Sequence, residues 1–391
     1  MSHRTGVFLC CILAALLAAG AAGAQAAPVV RVTLGQGSVY GEGWPAFTEI
    51  EATLRDAGGA VKGACLVQTD TGGNFLCSWG QSSFGIASLL PPAVNLPGDS
   101  LSVEQGGATY ASGPFPVVRI TDLDPATDRV AGTITPRRAT ARIRFMRSPR
   151  LTSTGYVIPA ILTASVTTGA DGAFAVDLTS LGNAIRNDRL FVSQVQGRFE
   201  IGVNASFPGL NVQKDGSAGF LSGVPDSVHT VRLFSAAGAL KSVATVTVGG
   251  GGAGPAALAR GEGATTELMA IGVTGYFSFK DAAGRPVRIV EGDLIAVGAP
   301  LAFGFRVPKL SPGMSAERFT VRTLPNRPLY FSGQIFAGPG VTPIYLSAYG
   351  QSNSTGYYQY NPVQTITSFS SCSFSIVVDG NYVSTSRMLA P

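Results

Sequence analysis

Histidine is almost missing from this chain of 391 residues: there are two, and only His229 lies beyond the first few positions. That scarcity excludes every metal site built on a histidine pair, the H-E-x-x-H zinc proteases included. A Ser–His–acid or Cys–His site would have to use His229. It sits in Val228–Phe234 (VHTVRLF), in phase with Val231 and Leu233, which are the inward positions of an alternating strand. No G-x-S-x-G elbow accompanies it. Charge is scarce too. Asp, Glu, Lys and Arg make up 13% of the chain, roughly half the ordinary globular share, and a net charge of +5 is spread too thinly for a nucleic-acid partner. Helical periodicity is weak, the best stretches being Leu178–Asn187 and Pro255–Met269. Past the N-terminus no apolar run is long enough to span a bilayer. The Gly-rich Gly249–Gly254 lacks the Lys-Ser/Thr ending of a phosphate cradle, and no cofactor is expected.

What is abundant points one way. There are 50 glycines and 24 prolines, without a collagen period, interleaved with Val, Thr, Ile and Phe. Many short strands joined by tight turns follow from that mixture, so the class is all-β. The N-terminus stands apart. His3 and Arg4 precede an apolar run from Gly6 to Gly23, and Ala24-Gln25-Ala26 supplies a cleavage pattern. Residues 1–26 read as a signal peptide, with an uncleaved anchor as the weaker reading because the run is short and Ala-rich. The expectation is a secreted or cell-envelope protein with no membrane span in the mature chain. Cys65 and Cys77 lie symmetrically about Thr71, so they either face each other as a disulfide or are two small buried residues. Cys372 reads as a buried thiol, with an intermolecular bridge as the lesser alternative.

The ordering feature is a repeat. Thr69–Phe75 (TDTGGNF), Val166–Phe174 (VTTGADGAF) and Val273–Phe277 (VTGYF) each place an aromatic after a glycine turn. Each precedes a second recurrent element: Pro97–Val103 (PGDSLSV), Arg186–Val192 (RNDRLFV) and Glu291–Val297 (EGDLIAV). A spacing near one hundred residues between Phe75, Phe174 and Phe277 means a string of similar small domains. The alternating segments Thr48–Leu54 and Ala139–Phe145 recur in step, with Ile50, Ala52 and Leu54, then Ala141, Ile143 and Phe145, facing inward.

This pattern resembles the tandem immunoglobulin-like repeats of exported bacterial surface proteins. The resemblance implies β-sandwich units at 27–115, 116–215, 216–304 (carrying the Gly-rich insertion) and 305–391, the last degenerate. It also implies a non-catalytic surface protein, a spacer or adhesion component, whose partner is a surface glycan or envelope protein. Asn187-Asp188 departs from the Gly-Asp of the other copies, and the fourth copy lacks that element.

Few side chains compete as functional sites. Asp122, Asp124 and Asp128 lie close together and offer a weak calcium candidate, set against a solvated turn. Arg142 and Arg144 alternate opposite Ile143 within a cluster that also holds Arg137, Arg138, Arg147 and Arg150, an outward basic stripe that would suit an anionic glycan. Tyr357, Tyr358 and Tyr360 suggest a stacking platform for sugar in the C-terminal unit, set against core tyrosines. A carbohydrate-binding protein using either patch is the alternative to the structural role. Asp99, Asp188 and Asp293 recur at a joint and read as structural.

Overall fold

The structure is a computed structural model. It describes residues 27–79, 93–146, 150–152, 155–157, 161–182, 184, 186–249, 274–298, 303–315, 317–335, 344–362, 370–378 and 380–388. The expected signal peptide and the Pro255–Met269 stretch lie outside these, as does all of the Gly-rich segment after Gly249. The described chain is nearly all strand. A single 3-10 turn, Thr179–Leu181, is its only helix.

Strands fall into four sets of seven, the second with an additional small hairpin. The first comprises β1 (Val29–Thr33), β2 (Ser38–Glu42), β3 (Glu49–Arg55), β4 (Val61–Gln68), β5 (Phe75–Ser78), β6 (Ser100–Gln105) and β7 (Ala108–Ala111). Next come β8 (Val117–Asp124), β9 (Arg129–Thr135), β10 (Thr140–Met146), the small hairpin β11 (Arg150–Thr152) and β12 (Gly155–Val157), β13 (Leu162–Thr167), β14 (Ala173–Asp177), β15 (Arg189–Gln196) and β16 (Phe199–Ser206). The third set is β17 (Gly209–Gln213), β18 (Ala218–Ser222), β19 (Val228–Phe234), β20 (Leu240–Thr247), β21 (Thr274–Ser278), β22 (Leu294–Val297) and β23 (Phe303–Arg306). The fourth is β24 (Ser311–Ser315), β25 (Arg318–Arg322), β26 (Pro328–Ile335), β27 (Ile344–Gln351), β28 (Tyr357–Tyr360), β29 (Ser371–Val378) and β30 (Asn381–Met388).

One strand order serves all four. Strands one, two and five of a set pair with one another, as in β1-β2-β5, β8-β9-β14, β17-β18-β21 and β24-β25-β28. Strands four, three, six and seven pair in that sequence, as in β4-β3-β6-β7, β13-β10-β15-β16, β20-β19-β22-β23 and β27-β26-β29-β30. The result is tandem all-β sandwiches. Alternation drives the layering: in β3 the buried residues are Ile50, Ala52 and Leu54, and in β10 they are Ala141, Ile143 and Phe145.

By contacts the chain forms two compact units. The first holds residues 27–32, 37–115 and 196–200. Its core includes Trp44, whose ring meets Phe75 at 5.9 Å and Tyr110 at 5.6 Å, both edge-on. Cys65 on β4 and Cys77 on β5 form a disulfide with Cα atoms 6.0 Å apart, so it joins the two sheets of the sandwich. Residues 196–200 bring Arg198, whose backbone oxygen accepts from Val30 N at 2.8 Å and whose guanidinium lies 4.2 Å from the Tyr110 ring centroid. They also bring Glu200, which is 1% exposed and reaches Arg31 at 3.5 Å.

The second unit holds residues 33–36, 116–195 and 201 onward. Within it one continuous hydrophobic core, from Leu210 to Val383, serves both the third and the fourth sets. Phe331 sits at its centre, with ring centroids of Phe319, Phe374 and Tyr360 at 5.0, 5.1 and 4.6 Å. A parallel pairing of β17 with β30 joins the two sets into a seven-stranded sheet, β21-β18-β17-β30-β29-β26-β27. Asn381 Oδ1 accepts from Leu210 N at 2.9 Å, and Asn187 Nδ2 donates to Gly380 O at 2.6 Å.

Candidate functional site

The recurring hairpin is built the same way in sets one, two and four. A glycine at positive φ closes the turn (Gly73 at 74°, Gly172 at 85°, Gly356 at 75°). Its carbonyl accepts a backbone bond from the neighbouring sandwich strand or its extension, from Trp44, Ile134 and Thr323 respectively. A Cβ on any of the three would collide with the carbonyl oxygen of that same residue, so glycine is required by space as well as by φ. Two residues on come Phe75, Phe174 and Tyr358, and in the third set Phe277 stands two beyond Gly275. Phe75, Phe174 and Phe277 each cover the glycine paired with them on the adjoining strand, Gly41, Gly132 and Gly219, whereas Tyr358 pairs with Val321 and its ring lies over Gly350 of β27 in the facing sheet.

Carboxylates and an amide hold these turns. Asp70 Oδ1 accepts from Gly72 N and Asn74 N at 2.8 Å each, and Asn353 Oδ1 accepts from Thr355 N and Tyr357 N at 2.9 Å each. Asp56 and Asp281 do the same for the turns before β4 and after Lys280. Asp70 is held below the usual carboxylate range by the Asn74 backbone N–H first and the Asn74 side chain second, and Asp281 by the backbone N–H of Arg285 and then its side chain. Carboxylates kept ionised by backbone amides are poor proton donors.

The Gly-Asp joint is equally structural. Asp99 Oδ2 accepts from Leu96 N at 2.8 Å and from Lys62 Nζ at 2.5 Å, while Asp293 Oδ2 accepts from Val290 N at 3.0 Å and from Lys241 Nζ at 2.6 Å. In both copies a preceding glycine has positive φ (Gly98 at 89°, Gly292 at 85°), and Asn187 at 66° takes that place in the second. Asn is among the few side chains that tolerate it.

His229 is 2% exposed on β19. Its Nε2 lies 2.8 Å from Ser227 Oγ, and that hydroxyl donates to Val224 O at 2.6 Å. The serine proton is therefore committed, so Nε2 is the donor and His229 is the neutral Nε2–H tautomer. Its buried Nδ1 has no hydrogen-bond partner among the described residues. A catalytic triad needs the opposite arrangement, a histidine accepting from serine and oriented by an acid. Burial lowers the imidazole pKa below its ordinary 6.5. The unfolded chain then binds a proton that the folded one refuses, so stability is complete above about pH 6.5 and falls as pH drops through that value toward the folded pKa. Between about pH 7.5 and pH 5, His229→Leu is expected to flatten the urea midpoint's decline; an unchanged slope would show that His229 does not cause it.

The other sequence candidates separate. Asp124 caps its own turn through Ala126 N and Thr127 Oγ1, each at 2.9 Å, and Asp128 Oδ1 accepts from Ala184 N at 2.5 Å. Asp122 is exposed on β8. Among the described residues no group of three or more His, Cys, Asp or Glu is placed to hold a metal ion. Arg142 and Arg144 do lie opposite Ile143, but β10 is a central strand. They are half-buried, with Ser165 and Thr163 on one side and the buried Ser193 and Phe191 on the other. Neither is without a partner.

The three tyrosines do not share a face. Tyr358 and Tyr360 turn inward, packing on Phe374 and Phe331, and burial raises the Tyr358 pKa, with Tyr360 adding to it. Only Tyr357 points out, its hydroxyl donating to Gln359 Oε1 at 3.0 Å. The reason is the repeat itself: Tyr358 occupies the position of Phe75, Phe174 and Phe277, the core plug. Tyr-Tyr reads as a surface pair in the sequence because tyrosine stands there where the other copies have phenylalanine. Cys372 is buried in the core of the fourth set. A shallow depression beside β3 and β6 is lined by Glu49, Glu51 and Glu104, three like charges with no opposite partner beside them in the lining. No helix among the described residues is long and apolar enough to cross a membrane.

No family model matches the chain, and no curated protein matches it. Solved structures give distant likenesses. The tetra-tandem repeat in the extending region of a large adhesion protein is 14% identical, covers 92% of this chain and 97% of its own, and has a TM-score of 0.17. A biofilm-associated protein's BSP domain is 8% identical over 93% and 95%, with a TM-score of 0.17. Trypsin-activated alpha-2-macroglobulin from Escherichia coli is 10% identical over 93% and 41%, with a TM-score of 0.18.

Proposed function

We propose that this is a non-catalytic exported protein of four tandem immunoglobulin-like repeats, acting at the cell surface as a structural spacer or adhesion component. One observation carries the reading: the carboxylates and the amide that recur from repeat to repeat are spent on turns and joints. Asp56, Asp70, Asp281 and Asn353 close hairpins, and Asp99 and Asp293 anchor strands through Lys62 and Lys241. His229 is buried and committed. A surface component needs regular repeats and a turn chemistry that tolerates an extracellular medium, and a disulfide between sheets suits an oxidising compartment. Protease shaving of intact producing cells is expected to release peptides of this chain. Recovery from the cytosol alone would overturn the location, and turnover of a polysaccharide, peptide or ester by the purified chain would overturn the non-catalytic role.

A further inference from the structure

Sheet edges need protection, because a row of unpaired backbone groups invites another strand. The four equivalent fourth strands of the sets show how unevenly that protection is distributed. β4 carries Lys62, which reaches inward to Asp99, and a register shift at Leu54/Arg55 kinks its pairing with β3. β20 repeats both devices, with Lys241 on Asp293 and a shift at Leu233/Phe234. β13 has neither, but is six residues long. β27 also has neither, and it is the longest unbroken case: eight residues, IYLSAYGQ, without charge or proline, in continuous register with β26 from Pro328↔Gln351 to Ile335↔Ile344. It is the last strand of the seven-stranded sheet, and its other edge pairs with no strand among the described residues.

The sequence of β27 is also nearly a palindrome about Ser347: Tyr345-Leu346-Ser347-Ala348-Tyr349. Antiparallel pairing with itself, Ser347 opposite Ser347, would set Tyr345 against Tyr349 on the outer face twice over. On the inner face it would set Leu346 against Ala348, large against small. Outer residues Tyr345, Ser347, Tyr349 and Gln351 are exposed, whereas Ile344, Leu346 and Ala348 are only partly buried against the core, β27 being the last strand of the sheet among the described residues. A neighbouring strand would cover their open flank. Tyr349 already packs on Tyr330 across the sheet at 4.7 Å, so the aromatic ladder is begun on one side. Absence of charge leaves no like-charge repulsion when the strand meets its own copy.

We infer that β27 is a self-association edge, and that a second copy of this chain adds there as an antiparallel strand across a two-fold axis through Ser347. Such an isologous contact closes on itself and yields a dimer, not a fibre.

Sedimentation velocity of the purified full chain over a wide concentration range tests it. The weight-average mass is expected to rise reversibly by up to about twofold. Ser347→Lys, at an exposed outer position, is expected to return it to the monomer with an unchanged circular dichroism spectrum. Ser347→Cys, treated with oxidised glutathione, is expected to give a covalent dimer that the unsubstituted chain does not, since directly opposed Cβ atoms lie about 4.5–5.5 Å apart. A chain monomeric throughout, a dimer indifferent to Ser347→Lys, or a Ser347→Cys chain that does not cross-link would each overturn the proposal.

Discussion

Gly73→Ala is expected to destabilise the first unit by about 3 kcal/mol or more, while Gly59→Ala costs only about 1 kcal/mol. Both glycines hold positive φ, 74° and 86°. They differ in surroundings. A Cβ at Gly59 meets nothing within 4 Å, whereas one at Gly73 collides with the Trp44 carbonyl. To relieve that collision the turn must move off Trp44, and the bond from Trp44 N to Gly73 O, 3.0 Å, goes with it. Trp44 and Trp79 are the only tryptophans in the chain, and both lie in the first unit, so tryptophan fluorescence during urea unfolding reads this unit directly. Equal shifts for the two substitutions would mean that the left-handed backbone alone, and not the close approach, accounts for the glycine.

Phe331→Ala is expected to cost the second unit about 3–5 kcal/mol, the range for deleting a buried phenylalanine. Phe331 is fully buried and touches rings from both sheets of the fourth set: Phe319 and Tyr360 on one, Phe374 on the other. The site collapses poorly, because its neighbours are rigid rings on paired strands, which places the cost toward the upper end. Far-UV circular dichroism against urea measures it. Phe331→Leu, which keeps most of the volume, is expected to recover more than half of the loss. A loss below about 1 kcal/mol would show that the ring is not the centre of the core.

Much of this was legible in the sequence wherever one residue type has one physical reason to be there. Gly73 and Gly172 announce hairpins because no other residue fits under a carbonyl, and Phe75, Phe174 and Phe277 announce the core. Strand alternation in β3, β10 and β19 was legible for the same reason. Other elements were hidden. β17 begins at Gly209, ahead of the expected start of the third unit at 216, because a five-residue strand carries too little alternation to stand out. β23, Phe303–Arg306, pairs with β22, so a segment that reads as the opening of the fourth copy closes the third. Tyr358 was misleading because its hydroxyl makes a core residue look like a surface one. Pairing of β17 with β30 could not be read at all: nothing in Leu210–Val212 or Tyr382–Val383 encodes which of many apolar strands lies alongside.

That last pairing sets an order on folding. Leu210 N finds its acceptor in Asn381, 171 residues later, and Asn187 finds its acceptor in Gly380, 193 residues later. In chain order β17 comes well before β30, so its edge has no β30 to pair with until the fourth set is in place. Loop closure over that distance is slow. The two sets are therefore expected to unfold and refold as one unit, and a chain halted before Asn381 leaves the amide of Leu210 without the acceptor it has in the finished fold.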